Sequence, residues 1–258
     1  MAKGKNKRMG KKGKGNRKGD KHAFLKKEWH KLISPADLKN SSQVGWTCVN
    51  KTSGTKISTN YLKGRVGEIT AADISANVDN SDLRRKIQMY VEECKDGSCF
   101  TSFYGYDITR ESVDQIIKKR TSLIDIYSDV RTSDGYIFRV FLTCVSKRAQ
   151  GQLKINSYVN TSTIKLLRKK TVHELQSKVK RMTGTQFAND VVEQTLEKEM
   201  KNFMKKVYPN LIVLLRKVKL IRKGQMDKKN FLRDAVKKTT VTTAALEENP
   251  DAKNALSE

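Results

Sequence analysis

Polar and apolar positions alternate in "KIQMYVEEC" (86–94), with Ile87, Met89 and Val91 against Lys86, Gln88 and Tyr90. A period of two predicts a strand with one buried face. Strand signals dominate from Val44 to Lys147. "SCFTSFYGYDI" (98–108) is rich in aromatic and hydroxyl residues, which suit a pleated surface. "LIDIYSDVRTSDGYIFRVFLTCV" (123–145) predicts a hairpin, with Asp134-Gly135 supplying the positive φ angles of a tight primed turn. "TNYLKGRVGEITAADI" (59–74) sets Gly64 and Gly67 around Arg65-Val66, a turn entering a strand. One short helix interrupts at "TRESVDQIIKKR" (109–120), with Thr109 as cap, Glu111 at the positive helix start and an apolar stripe of Val113, Ile116 and Ile117.

After Ser157 the period becomes helical. In "STIKLLRKKTVHELQSKVKRM" (162–182) the apolar positions include Ile164, Leu167, Val172, Leu175, Val179 and Met182, and Gly184 stands where the helix should end. A second helix, "NDVVEQTLEKEMKNFMKKVY" (189–208), is expected to start at Asn189 or Asp190, repeat at Val192, Leu196, Met200, Phe203 and Val207, and close at Pro209. "LIVLLRKVKLIRK" (211–223) returns to strand, with Ile212, Leu214, Val218 and Leu220 expected on one face and Arg216 among them. "NFLRDAV" (230–236) suggests a last helical turn or two. The pattern predicts an α+β fold: a mainly antiparallel β-sheet or barrel, then a helical pair and a returning strand, preceded by an extended basic N-terminal tail.

Boundaries follow from the same pattern. Residues 1–22 form a basic tail and 23–43 a docking arm whose Phe24, Leu25, Trp29, Leu32 and Ile33 either anchor it to the surface or cover an edge of the core. Residues 44–235 form one α+β core, strand-rich over 44–157 and helix-rich over 158–235, and 236–258 a mobile C-terminal tail whose end, "AALEENPDAKNALSE" (244–258), is acidic.

Charge adds what periodicity cannot. The formal net charge is +26, from 53 Lys+Arg and 27 Asp+Glu. Self-repulsion of that size opposes compaction unless a polyanion neutralises it. The leader is the extreme case: Met1–His22 holds ten Lys/Arg and one acid, with only Met1, Ala2 and Met9 apolar. Such a segment is expected to be disordered alone and to order against something densely negative. No run of about eighteen apolar residues is present to span a bilayer, and charges break the stretch after the leader, which argues against a secretory signal. The remaining polyanion is nucleic acid, in the cytoplasm or nucleus.

Catalytic patterns are absent. Of three histidines, His22 and His30 lie in the leader region, and His173 falls on a predicted helix with no serine or cysteine motif to pair with it. "GKKGKGN" (10–16) lacks the Gly-Lys-Ser/Thr ending and the preceding strand of a phosphate loop. Cys48, Cys94, Cys99 and Cys144 lack the paired spacing of a zinc site, and buried reduced thiols are expected in their place, with no metal and no cofactor. Basic clusters, by contrast, recur at Lys118-Lys119-Arg120, Lys147-Arg148, Arg168-Lys169-Lys170, Lys178-Lys180-Arg181, Arg216-Lys217-Lys219 and Arg222-Lys223. Cations spread over strands, loops and helices suit phosphate contacts that position a protein without reading sequence. Neither a helix-turn-helix, zinc-finger or basic-zipper signature of duplex DNA readers nor an RNA-recognition or KH signature is present.

Several ordered motifs carry a family resemblance. "KGRVGEITAADI" (63–74), "FYGYDITRE" (103–111), "SDVRTSDGYIFRVF" (128–141) and "VYPNLIVLLRKVKLIRK" (207–223), with "GKNKR" (4–8) and "GTKI" (54–57), resemble the eukaryotic and archaeal small-subunit ribosomal proteins of the S-three-A-e family. The chain departs from that pattern at Tyr104, Tyr106 and Arg120. The resemblance implies a non-enzymatic structural constituent of the small ribosomal subunit. It implies binding to small-subunit RNA on the platform near the messenger exit, contact with neighbouring ribosomal proteins, and a multi-subunit translation initiation factor docking nearby. No membrane and no DNA enter. The protein would work on cytoplasmic ribosomes after a nucleolar assembly stage. The competing expectations are a transient nucleolar RNA-processing or RNA-chaperone factor and an RNA-modifying enzyme. Candidate RNA contacts are Lys3, Lys5, Lys7, Arg8, Lys11, Lys12, Lys14, Arg17 and Lys18 in the leader, and Lys63, Arg65, Arg110, Arg131, Arg139, Arg168, Lys169, Lys170, Arg216, Lys217 and Lys219 beyond it.

Overall fold

The stretches that alternate are strands, and they join in one sheet. A computed structural model describes residues 23–38, 43–74 and 82–224. Among these the strands are β1 (Lys27–Ile33), β2 (Gln43–Asn50), β3 (Val66–Thr70), β4 (Arg85–Lys95), β5 (Ser98–Ile108), β6 (Leu123–Arg131), β7 (Ile137–Ser146) and β8 (Leu211–Arg222). The α-helices are α1 (Ser58–Leu62), α2 (Arg110–Ile116), α3 (Thr161–Val179), α4 (Gly184–Val192) and α5 (Thr195–Val207). The expected α+β fold is thus present, with a mostly antiparallel sheet. The leader, "NFLRDAV" and the acidic tail lie outside the described residues.

β5 organises the sheet. One edge pairs with β4 along its length, from Arg85↔Ile108 to Lys95↔Ser98, and β4 carries β3 on its far side. The other edge is shared. β1 pairs parallel at Lys31↔Ser98 and Leu32↔Cys99, and β8 pairs antiparallel from Gly105↔Lys219 to Asp107↔Lys217. Between them the chain after β1 supplies partners: the Ala36 N–H donates to the Thr101 carbonyl at 3.1 Å, and the Phe103 N–H donates to the Asp37 carboxylate at 2.9 Å. A central strand cannot leave its amides unpaired away from water. β8 then pairs β7, β7 pairs β6, and β2 completes a hairpin with β1.

Helices cover one face. α3 packs on β6, α5 on β8 and α4 on β5. Leu167, Leu175 and Val179 of α3, Phe187 and Val191 of α4, and Leu196, Met200 and Met204 of α5 join Ile124, Val140, Leu142, Leu215 and Val218 of the sheet in the main core. At the foot of β4, buried Arg85 pairs with Asp82 and donates to the Val192 carbonyl at the end of α4, where a helix is negative. A smaller cluster of Val49, Leu62, Val91, Cys94 and Cys99 fills the space under α1. Cys94 and Cys99 stand opposite each other across the β4–β5 ladder, with their thiol sulfurs 2.7 Å apart.

Four local expectations change. The β6–β7 connection is a three-residue turn: the Thr132 N–H donates to the Tyr136 carbonyl, and only Gly135 has a positive φ, at 81°. Asp134 stays right-handed, as in a type I turn closed by a left-handed glycine. Gly184 opens α4 and does not end α3, because Thr183 builds a capping box with Gln186 immediately before it. The single helix expected over 189–208 is two, broken at Gln194, whose φ is 60°. In β8, Phe141 pairs Lys217 while Leu142 pairs Leu215, so Arg216 is an extra, bulged residue. One extra residue shifts the phase, so Leu211, Val213, Leu215 and Val218 turn inward while Ile212 and Leu214 turn outward.

The segment read as a docking arm contributes β1, which ends before Pro35. Its Ile33 is buried, whereas Phe24, Leu25 and Trp29 are exposed. His30 is buried on this strand, 3.9 Å from Glu28, while His173 is exposed on α3.

Candidate nucleic-acid interface

Among the described residues no helix covers the second face of the sheet where β6, β7 and β8 lie side by side. β6 turns Ile124, Ile126, Ser128 and Val130 inward and leaves Leu123, Asp125, Tyr127, Asp129 and Arg131 exposed. Across from these, Arg139 of β7 faces Asp129, and Phe141 faces Tyr127. β8 sets Lys219 beside Arg139 and Lys217 beside Phe141. The bulge places exposed Arg216 next to Lys217 on this same side, where strict alternation would have turned one of them into the core. A second irregularity leaves Ile221 unpaired and brings Arg222 opposite Ile137, which in turn faces Arg131. Six cations therefore share one face: Arg131, Arg139, Arg216, Lys217, Lys219 and Arg222.

The acids on this face are occupied. Arg139 grips Asp129 with two hydrogen bonds, Nε to Oδ1 at 2.6 Å and Nη2 to Oδ2 at 2.8 Å. Those bonds hold the Asp129 carboxyl below the ordinary carboxylate range. Lys217 binds Asp107 at 2.6 Å, and Asp125 accepts from the Thr143 hydroxyl at 2.8 Å. Among the described residues no carboxylate pairs with Arg216 or Lys219. The Lys219 ammonium lies 5.9 Å from the centroid of the Phe141 ring. Between these side chains runs a groove of about 390 Å³, lined by Asp125, Tyr127, Phe141, Thr143, Arg216, Lys217 and Lys219. Such a groove is chemically able to hold anions on Arg216 and Lys219 and to stack a planar group on the Tyr127 ring, which is 70% exposed.

Other candidates fall elsewhere. Arg168 stands at the rim, its Nε donating to the Asp125 carbonyl at 3.3 Å. With Gln176, which donates to the Asp129 carbonyl at 3.3 Å, it covers the free edge of β6. Lys169 and Lys170 follow on the exposed side of α3. At the opposite end of the sheet, Arg65 donates to the Tyr61 carbonyl, the Thr47 hydroxyl and the Cys48 carbonyl, which ties α1 to β2, and Lys63 is exposed beside it. Arg110 is exposed at the first position of α2. Lys3, Lys5, Lys7, Arg8, Lys11, Lys12, Lys14, Arg17 and Lys18 lie outside the described residues.

Sequence reasoning missed Tyr127 and Phe141 and left Arg222 out of the site. The alternation of "LIDIYSDVR" already set Tyr127 on the side opposite Ile124 and Ile126, so its signal was present.

Fold and face together define a class: a basic two-layer α+β protein with a cation-rich sheet face that no helix covers among the described residues. Comparison with known proteins narrows it. The family described as the Ribosomal S3Ae family matches residues 15–224. Relatives include the small ribosomal subunit protein eS1 of Theileria parva, 38% identical over 88% of this chain and 86% of its own. The proteins of the same name from Babesia bovis and Plasmodium falciparum are each 34% identical, over 99% of this chain and 97% and 98% of theirs. The chain belongs to the ribosomal S3Ae family.

Proposed function

We propose that this protein is a structural constituent of the small ribosomal subunit. It binds small-subunit RNA on the platform near the messenger exit, among neighbouring ribosomal proteins, and supports subunit assembly and translation. It joins the subunit in the nucleolus, works in the cytoplasm, and offers a surface close to where a multi-subunit initiation factor docks. It performs no catalysis. The observation that carries the reading, beside family membership, is the cation-rich β6–β7–β8 face, which no helix covers among the described residues. There the bulge sets Arg216 against Lys217 and leaves Arg216 and Lys219 without carboxylate partners among the described residues. Arg131, Arg139, Arg216, Lys217, Lys219 and Arg222 contact phosphates on this face. Arg168, Lys169 and Lys170 extend the contact around the β6 edge, and Lys63, Arg65 and Arg110 meet RNA from the other end. The leader cations thread between RNA segments.

Sedimentation tests the reading. The protein should travel with mature small subunits at one copy per particle after a high-salt wash. Recovery mainly with nucleolar precursors, and loss from mature particles, would favour the transient processing or chaperone factor.

A further inference from the structure

The β1–β2 hairpin carries a second surface that the basic face does not include. The register pairs Lys27 with Asn50, Trp29 with Cys48 and Lys31 with Trp46, so these six side chains share one side of the ribbon. Two contacts fix that side: the Lys27 ammonium donates to Asn50 Oδ1 at 2.6 Å, and the Lys31 ammonium lies 5.7 Å from the Trp46 ring centroid. The opposite side turns inward, with His30 and Val49 buried. Trp29 and Trp46 are 51% and 54% exposed, an unusual state for the largest apolar side chain. As diagonal cross-strand neighbours they stand roughly 7–8 Å apart.

Chemistry selects the occupant. Lys27 and Lys31 flank Trp29 along β1, and no carboxylate lies among the paired residues on this side. Lysine is depleted from protein–protein interfaces, whereas aromatic rings interleaved with cations are the surface that single-stranded nucleic acid uses. Sheet-borne aromatics that stack two or three splayed bases are a recurrent RNA-binding device. We infer that Trp29 and Trp46 form a stacking platform for two unpaired RNA bases, with Lys27 and Lys31 holding the adjoining phosphates. This rests on the RNA-binding role proposed above and names a new site and ligand chemistry for it: unpaired nucleobases, not duplex.

The chain provides its own reporter, because Trp29 and Trp46 are its only two tryptophans. The full-length protein is titrated with a 12-nucleotide oligouridylate and with the same strand paired to oligoadenylate, and tryptophan emission and fluorescence anisotropy of end-labelled RNA are followed together. The single strand should quench emission in step with binding, while the duplex binds with emission nearly unchanged. Trp29→Ala and Trp46→Ala should each weaken single-strand binding about ten-fold and duplex binding less than two-fold. Trp29→Phe, which keeps an aromatic face, should restore most of the loss and guards against misfolding of the alanine variants. Anisotropy that reports single-strand binding with tryptophan emission unmoved would overturn the platform and leave the RNA-binding role standing. Quenching by a neighbouring ribosomal protein, with none by single-stranded RNA, would overturn it in favour of a protein contact. Absence of RNA binding by either readout would overturn both.

Discussion

Gly105 of β5 is paired on both sides, with Gln88 of β4 and Lys219 of β8. A Cβ atom there would lie 2.7 Å from the Val218 carbonyl oxygen and 2.9 Å from Gln88 Oε1. The carbonyl belongs to a paired strand and cannot move aside without disturbing the short β5–β8 ladder. Gly105→Ala should therefore destabilise the protein by roughly 1–3 kcal/mol, as overpacking does elsewhere. Urea unfolding of the variant measures this, and an unchanged midpoint would show that the strands part more easily than the contact implies. The same crowding lets Lys219, paired with Gly105, stand on the open face with no side chain opposite it on β5. Tyr104 stacks on Tyr90 with centroids 6.0 Å apart, and Tyr106 is buried in the main core. Burial pushes the Tyr106 hydroxyl well above its usual range.

Elements show which rules could be read in advance. β6 kept the phase of its sequence because nothing interrupts its inward alternation, and β4 kept it from Arg85 to Val91, beyond which a bulge at Glu92 shifts the phase and turns Cys94 inward. β8 did not: its bulge is a property of the backbone, and the hydrophobic pattern of "LIVLLRKVKL" holds no residue that announces it. The break between α4 and α5 was hidden for a similar reason. Gln194 takes a left-handed conformation without the glycine that usually marks one. Candidate cations were legible as clusters, but their convergence on one face depended on that unannounced bulge. α5 also carries a testable group. Burial raises the Glu197 carboxyl above its ordinary range, against the Leu215 N–H that donates to it at 3.0 Å and the nearby charges of Lys201, Arg85 and Lys198. The native state then holds this proton more tightly than the unfolded chain. Its contribution to stability is full below the unfolded value near pH 4 and is lost as pH rises through the folded value. Glu197→Gln keeps an acceptor for the Leu215 N–H and carries no charge, so it should gain stability relative to the parent between pH 4 and pH 7. Parallel stability curves for the two proteins across that range would refute this account.

At the scale of the whole molecule, the excess of cations decides behaviour. A net charge of +26 makes affinity for RNA steeply dependent on salt. If about five leader cations meet phosphates, the leader alone contributes a slope of roughly −3.5 to −4.5 in log affinity against log salt. A chain lacking residues 1–22 should show a slope flatter by that amount, and an unaltered slope would remove the leader from the binding surface.

The arrangement of strands about β5 has a consequence for synthesis. β8, the last strand of the described chain, lies in the middle of the sheet, between β5 and β7. Until it emerges, the strands that can pair make two half-sheets, β2–β1–β5–β4–β3 and β6–β7, with the β8-facing edges of β5 and β7 left without their partner. Rims of that kind invite pairing with other chains, and closure by a strand so distant in sequence is slow. The interval between translation of β7 and insertion of β8 is thus when this protein most needs a chaperone.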